Sequence, residues 1–147
     1  MGAVQRIEAS RYIAGSPRAV WDAYTDHVAW AEWGGVGRAR LEREGVPAPN
    51  GVGCIRVFGP PGLAAREEIL SFDAPKRMTY RVLGGGLPIR RHFGEVIFEP
   101  DGGGTRILWR CRFESKIPGL GPVFRAFIAR LFRGALEGLA AARFPEP

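Results

Sequence analysis

The chain has 147 residues, 46% of them apolar, two cysteines and a formal net charge of +6. That length and apolar content describe a single domain, residues 1–147, with a core of its own, and they exclude a disordered chain. No apolar run reaches the length of a membrane span and no apolar leader opens the chain, so a cytoplasmic protein without stable membrane insertion is expected.

Nineteen of the twenty-one basic residues are arginines, spread from Arg6 to Arg143. A nucleic-acid binder concentrates such charge on one face, so the spread reads as a solvated surface and no nucleic-acid partner is expected. Arg6 stands where a myristoylation site after Gly2 would carry Ser or Thr. Cys54 and Cys111 lie too far apart for a local metal motif and make no disulfide framework, so they are expected to be reduced and buried.

In chain order, Val4 to Ile13 mixes β-branched and charged residues and reads as a strand. Ser16 before Pro17 is a helix start, and Val20, Trp21 and Tyr24 give the following short helix one apolar side up to about Asp26. His27 to Trp33 is a second short helical piece ended by Gly34, Gly35 and Gly37. Strands are then expected over Arg38–Glu44, Cys54–Phe58, Ala64–Phe72, Arg77–Leu83, Ile89–Glu99 and Thr105–Ser115, separated by turn-forming Gly, Pro, Asn and Asp. In the last strand Ile107, Trp109, Cys111 and Phe113 alternate with Arg106, Arg110, Arg112 and Glu114, the pattern of a sheet with one face covered and one wet.

From Pro122 to about Phe144, Phe124, Phe127, Ile128, Leu131, Phe132, Ala135, Leu136 and Leu139 recur at three- and four-residue steps, with Arg130, Arg133 and Glu137 opposite and Pro145 as the stop. A helix of roughly 22 residues is about 33 Å long, and it needs an apolar surface of that length. The expected class is therefore α+β: a curved antiparallel sheet of seven strands, two short helices, and one long C-terminal helix over the concave face. Gly134 and Gly138 within that helix imply either close approach to the sheet or room for a ligand.

This order resembles the helix-grip fold of the START-like (SRPBCC) superfamily, which includes the birch-pollen allergens, and within it the polyketide cyclase/dehydrase branch. The residues carrying the resemblance are Ser16-Pro17 with Val20-Trp21, Trp33, Gly53-Cys54-Ile55-Arg56, Glu67 to Ile69 leading into Phe72-Asp73-Ala74-Pro75, Met78-Thr79-Tyr80, and Gly104 to Trp109. The likeness spans almost the whole chain. It implies the fold, and it implies functions ranging from lipid and hormone carriage to ring cyclisation, among which a fold does not choose.

Strand parity proposes an interior independently of that likeness. With Glu95 and Glu99 facing water, Arg90, His92, Gly94, Val96 and Phe98 are expected to point inward. Met78, Tyr80 and Val82 join them, as do Trp109, Cys111 and Phe113, with Arg56 and Glu67 in register. The candidate ligand-binding set is thus Arg56, Glu67, Met78, Tyr80, Arg90, His92, Trp109, Cys111, Phe113, Phe124, Phe127, Ile128 and Leu131, an apolar hollow with a few convergent polar groups. Each has a plainer reading: His92 as a core histidine satisfied by a carbonyl or water, Arg56 and Glu67 as a buried ion pair joining two strands, Tyr80 and Trp109 as packing, Trp30 and Trp33 as anchors of the second helix. The loops 59–62, 84–88 and 117–121 are expected to cluster as a mouth.

No phosphate loop, metal-spaced cluster or nucleophile turn is present in the sequence, so neither metal nor cofactor is expected. Three functions remain open. The first is a carrier or sensor of a small hydrophobic or amphipathic molecule, lipid-, polyketide- or aromatic-like. The second is a cofactor-independent cyclase, aromatase or dehydratase with His92, Tyr80 or Arg56 as catalytic candidates. The third is a protein-interaction module, and a homodimer is compatible with the sequence.

Overall fold

The structure, a computed structural model, describes residues 3–142 and 144. Gly2, Arg143 and the expected helix stop at Pro145 lie outside the described residues. In chain order the elements are β1 (Gln5–Ile13), α1 (Pro17–Thr25), a 3₁₀ turn (His27–Ala29), α2 (Trp30–Trp33), β2 (Ala39–Arg43), β3 (Ile55–Phe58), β4 (Ala65–Asp73), β5 (Arg77–Gly84), β6 (Ile89–Asp101), β7 (Gly104–Ser115) and α3 (Gly121–Ala141).

The seven strands form one antiparallel sheet in the order β1-β7-β6-β5-β4-β3-β2. From β2 to β7 the chain meanders, through a long loop closed by a Val46–Val52 bridge between β2 and β3 and shorter connections thereafter, and β1 pairs along the outer side of β7, with Gln5 opposite Phe113 and Ile13 opposite Thr105. Ser16 caps α1, its hydroxyl accepting the Ala19 N–H at 3.2 Å, and Pro17 occupies the first turn. α1 lays Trp21 edge-on against Phe72 and Phe98, and Tyr24 against Trp30, Phe98 and Trp109. These rings other than the partly buried Phe72, with Ile13, Met78, Val96, Ile107, Phe113 and Leu139, make the buried core. Cys54 and Cys111 are free and buried.

α3 lies over β1 and β7 and touches α2, rather than spanning the middle of the sheet. Its apolar stripe is therefore used in two ways. Phe124, Phe132, Ala135, Leu136 and Leu139 are buried, whereas Phe127 and Leu131, on the same stripe, are 51% and 44% exposed. The physical reason is that the β3–β6 half of the sheet stands away from the helix and leaves a hollow under those two side chains. Gly138 is a close approach, but to the Trp33 carbonyl of α2 rather than to the sheet, and a Cβ on Gly134 would meet nothing within 4 Å.

Strand parity holds along most of the sheet and fails at one place. Between Arg90 and Phe93 the β6–β7 register slips by one residue, and Arg91 sits at φ 53°. This bulge turns Arg90 to the outer face, where it lies 3.8 Å from Glu114. The expectation that Arg90 points inward is corrected accordingly: one extra residue reverses the alternation on which it rested.

Candidate functional site

The site is built from a cross-strand pair. Arg56 of β3 stands opposite Glu67 of β4, and its Nε donates to Glu67 Oε1 at 2.8 Å. The guanidinium is buried, 1% exposed, with its Cζ 4.7 Å from the Tyr80 ring centroid and 4.9 Å from that of Phe58. A cation taken out of water needs partners on every side, and a further one is His27. Nη1 of Arg56 lies 3.3 Å from His27 Nδ1, while His27 Nε2 lies 3.1 Å from the Asn50 carbonyl oxygen. One tautomer satisfies both contacts: Nε2–H donates to Asn50 and the Nδ1 lone pair accepts from Arg56. Burial first, and the Arg56 charge second, lower the His27 pKa from 6.5 to about 3. Burial alone would weaken the charge on Arg56, but Glu67, Tyr24 and Tyr80 outweigh it and raise its pKa.

Tyr80 of β5 lies against Gly94 of β6, its cross-strand partner, where any Cβ would overlap the phenol ring. Glycine is required there to let the ring lie across the strand. The Tyr80 hydroxyl accepts the Trp109 Nε1–H at 2.8 Å. Burial, then Glu67, push its pKa well above 10, so it remains a phenol that can donate. His92 of β6 is tilted against Tyr80, with ring centroids 5.3 Å apart, and its Nδ1 accepts the Val82 N–H at 3.1 Å. Burial, then Arg56 and Arg112, lower its pKa from 6.5 to about 4. At neutral pH it is therefore an uncharged ring whose Nε2–H has no hydrogen-bond partner among the described residues.

Arg56, Glu67, Tyr80 and His92 floor a hollow of about 420 Å³. Of the sequence-proposed residues, Arg56, Glu67, Tyr80, His92, Trp109, Phe127, Ile128 and Leu131 line it together. Met78, Cys111, Phe113 and Phe124 do not reach it and are packed in the buried core; Arg90 is on the other face. Trp109 stacks on Phe132 of α3, centroids 3.8 Å apart, which ties sheet to helix beside the hollow. Trp30 joins the wall and donates from Nε1 to the Tyr24 carbonyl at 2.7 Å, whereas Trp33 stays outside. The rim comes from Gly59 and Leu63, from Gly85–Leu87, and from Gly34–Val36, the last unforeseen. Residues 117–121 do not line it. The Cys111 thiol is pushed up to about 12 by burial, then by Glu67, which leaves no thiolate to react. Among the described residues no three His, Cys, Asp or Glu side chains cluster as a metal site. No helix there is long and apolar enough to cross a membrane.

Sequence reasoning missed His27. His27 is a lone histidine after a short helix, with no spacing to mark it; the one available signal was that a buried Arg56 must find more than one partner.

A family model described as "Polyketide cyclase / dehydrase and lipid transport" matches residues 4–143. The chain belongs to that family. No curated protein matches it in a sequence comparison. Among solved structures it is similar to a protein from Thermobifida fusca, with 24% identity, a TM-score of 0.77, and coverage of 92% of this chain and 90% of that one. It is also similar to a START superfamily protein from Mycobacterium smegmatis, with 10% identity, a TM-score of 0.76, and coverage of 92% and 94%. The di-domain ARO/CYC BexL of the BE-7585A biosynthetic pathway shows 15% identity and a TM-score of 0.74; the match covers 95% of this chain and 51% of that one. At such identities the structural likeness carries the fold alone. Together, family and helix-grip fold support a role in binding a ligand or cyclising one.

Proposed function

We propose that this chain is a carrier or sensor of a small, largely apolar molecule that ends in an acceptor oxygen, a carbonyl or a carboxylate. The observation that supports this most is the floor of the hollow. Arg56, the Tyr80 hydroxyl and the His92 Nε2–H converge there as donors, with Glu67 already engaged by Arg56. The remaining wall is aromatic and aliphatic. A pocket of this size and composition suits a small molecule whose single polar end is fixed by a few donors.

A cyclase reading needs a group that moves a proton, and the two nearest candidates are poorly placed to do so. The only lone pair of neutral His92 is held by the Val82 N–H, so it offers the hollow a donor and no base. Tyr80 is kept protonated by burial. What the floor can supply is stabilisation of negative charge on an oxygen, by Arg56, and this serves binding as readily as reaction.

The test is native mass spectrometry of freshly purified protein, followed by titrations read through emission from Trp30 and Trp109. Two probes of equal shape are compared, a flat aromatic ketone and its methylene counterpart. A bound small molecule lost on denaturation, or tighter binding of the ketone, supports the reading. A bare mass together with no response to either probe overturns it.

A further inference from the structure

The bulge in β6 does more than turn Arg90 outward. β5 and β6 are paired from Arg77↔Ile97 to Tyr80↔Gly94, and the ladder stops there although both strands continue. Where the next backbone bond would fall, the Val82 N–H is taken by the His92 side chain instead. The imidazole thus plugs a gap in the sheet. Arg91 beside it, at φ 53°, is the one residue other than glycine with positive φ among the described residues. A single such residue in a strand marks a built bulge and not a fluctuation of the ladder.

His92 is also the one residue shared by the hollow and the pocket behind it. On the concave side it lines the hollow. On the convex side it lines a second pocket of about 400 Å³ with Arg81, Arg91, Arg112, Phe93 and Glu114. The sheet is one side chain thick at this point. The convex pocket is cationic: three arginines face one carboxylate. Arg81 is held by Glu68 at 2.7 Å and Arg91 by Glu114 at 3.2 Å. Arg112 has no ion pair among the described residues; its Cζ lies 4.9 Å over the Phe93 ring, which fixes it while leaving its donors free.

We propose that the convex pocket is a second binding site, for a small free oxyanion, and that it shares His92 with the hollow as a common wall, so that occupancy outside is felt inside. The proposal is independent of what the hollow binds, and its failure would leave that reading untouched. An anion between Arg112 and Arg91 would lie beside the imidazole and favour its protonated form. The charged groups facing His92 are Arg56 from β3, Glu67 from β4, Arg81 from β5, Arg112 and Glu114 from β7, and Arg91 on its own strand, with the Tyr80 phenol alongside. Only Glu67 and Glu114 are negative, and both are already held, Glu67 by Arg56 and Glu114 by Arg90 and Arg91. A protonated ring donates from both nitrogens, so it cannot accept from Val82, and the end of β5 that walls the hollow is released. By linkage the effect is reciprocal: anion binding strengthens as His92 takes up its proton.

The experiment is a sulfate titration of the whole chain, with sodium chloride at matched ionic strength as reference, read by nitrogen-15 NMR. Sulfate keeps its charge across the pH range used, and the chain's only other histidine, His27, serves as an internal control. At pH 6 the Val82 amide and the His92 ring nitrogens should shift saturably in sulfate and not in chloride. On acid titration, the midpoint of His92 should rise by about one pH unit in sulfate, with His27 unmoved. Arg112→Gln and Arg91→Gly should each weaken the response; glycine suits the positive φ, so Arg91→Gly removes charge without breaking the bulge. Identical responses in sulfate and chloride, or a sulfate response that survives both variants at full strength, would overturn the proposal.

Discussion

His27 shows how a buried charge reorganises its surroundings. It is fully buried, held neutral by burial and by Arg56, and satisfied at both nitrogens. In the folded chain it takes up a proton only near pH 3, whereas in the unfolded chain it does so near 6.5. Between those values the unfolded state binds more protons, so stability rises with pH and is fully present above 6.5. His92, lowered to about 4, acts in the same direction over a narrower window. Each histidine contributes about 1.4 kcal/mol per pH unit where only the unfolded chain is protonated. Above about pH 5 side-chain carboxylates are largely ionised in both states, so the interval from 6.5 to 5 reports the histidines. Urea unfolding over that interval should show stability falling as the pH falls, and His27→Gln should remove about one proton from the slope. An unchanged slope in the variant would show that His27 titrates alike in both states.

At the scale of elements, the alternation Ile107, Trp109, Cys111, Phe113 and the heptad-like spacing in α3 were enough to place β7 and the long helix to within a few residues. The same patterns could not say what lies opposite each face. Phe127 and Leu131 share the stripe of Phe132 and Leu136, yet they overlook a hollow, because periodicity records apolarity and not the presence of a packing partner. Arg90 was misplaced because a two-residue period carries no sign of a bulge built on an arginine. Gly134 and Gly138 look alike in sequence and differ in space. An added Cβ at Gly138 would overlap the Trp33 carbonyl, whereas at Gly134 it would meet nothing. Gly134→Ala should therefore stabilise the protein by about 0.5–1 kcal/mol through helix propensity. Gly138→Ala should destabilise it by forcing α3 off α2. Thermal unfolding of the two variants gives the comparison, and a shift of the same sign in both would contradict the asymmetry.

For the whole molecule, the Arg56–Glu67 pair has two roles that single substitutions confuse. It joins β3 to β4 inside the protein, and it presents a cation to the hollow. Arg56→Met would leave Glu67 and the His27 Nδ1 without their partner, and breaking a buried pair on one side costs about 3–5 kcal/mol. Loss of ligand binding in that variant could reflect only a weakened fold. Replacing both residues, Arg56→Met with Glu67→Leu, removes the stranded carboxylate, and much of the lost stability should return, because well-packed apolar side chains can substitute for a buried ion pair. The double variant then isolates the second role. It should still take up the methylene probe in the hollow, bounded as before by Trp30, Phe58, Trp109 and α3, and should lose its preference for the ketone by roughly 1.5–3 kcal/mol, the scale of hydrogen bonds to a charged group. Probe binding measured beside urea stability separates the two roles. A double variant that folds and still prefers the ketone would shift the orienting role to Tyr80 and His92.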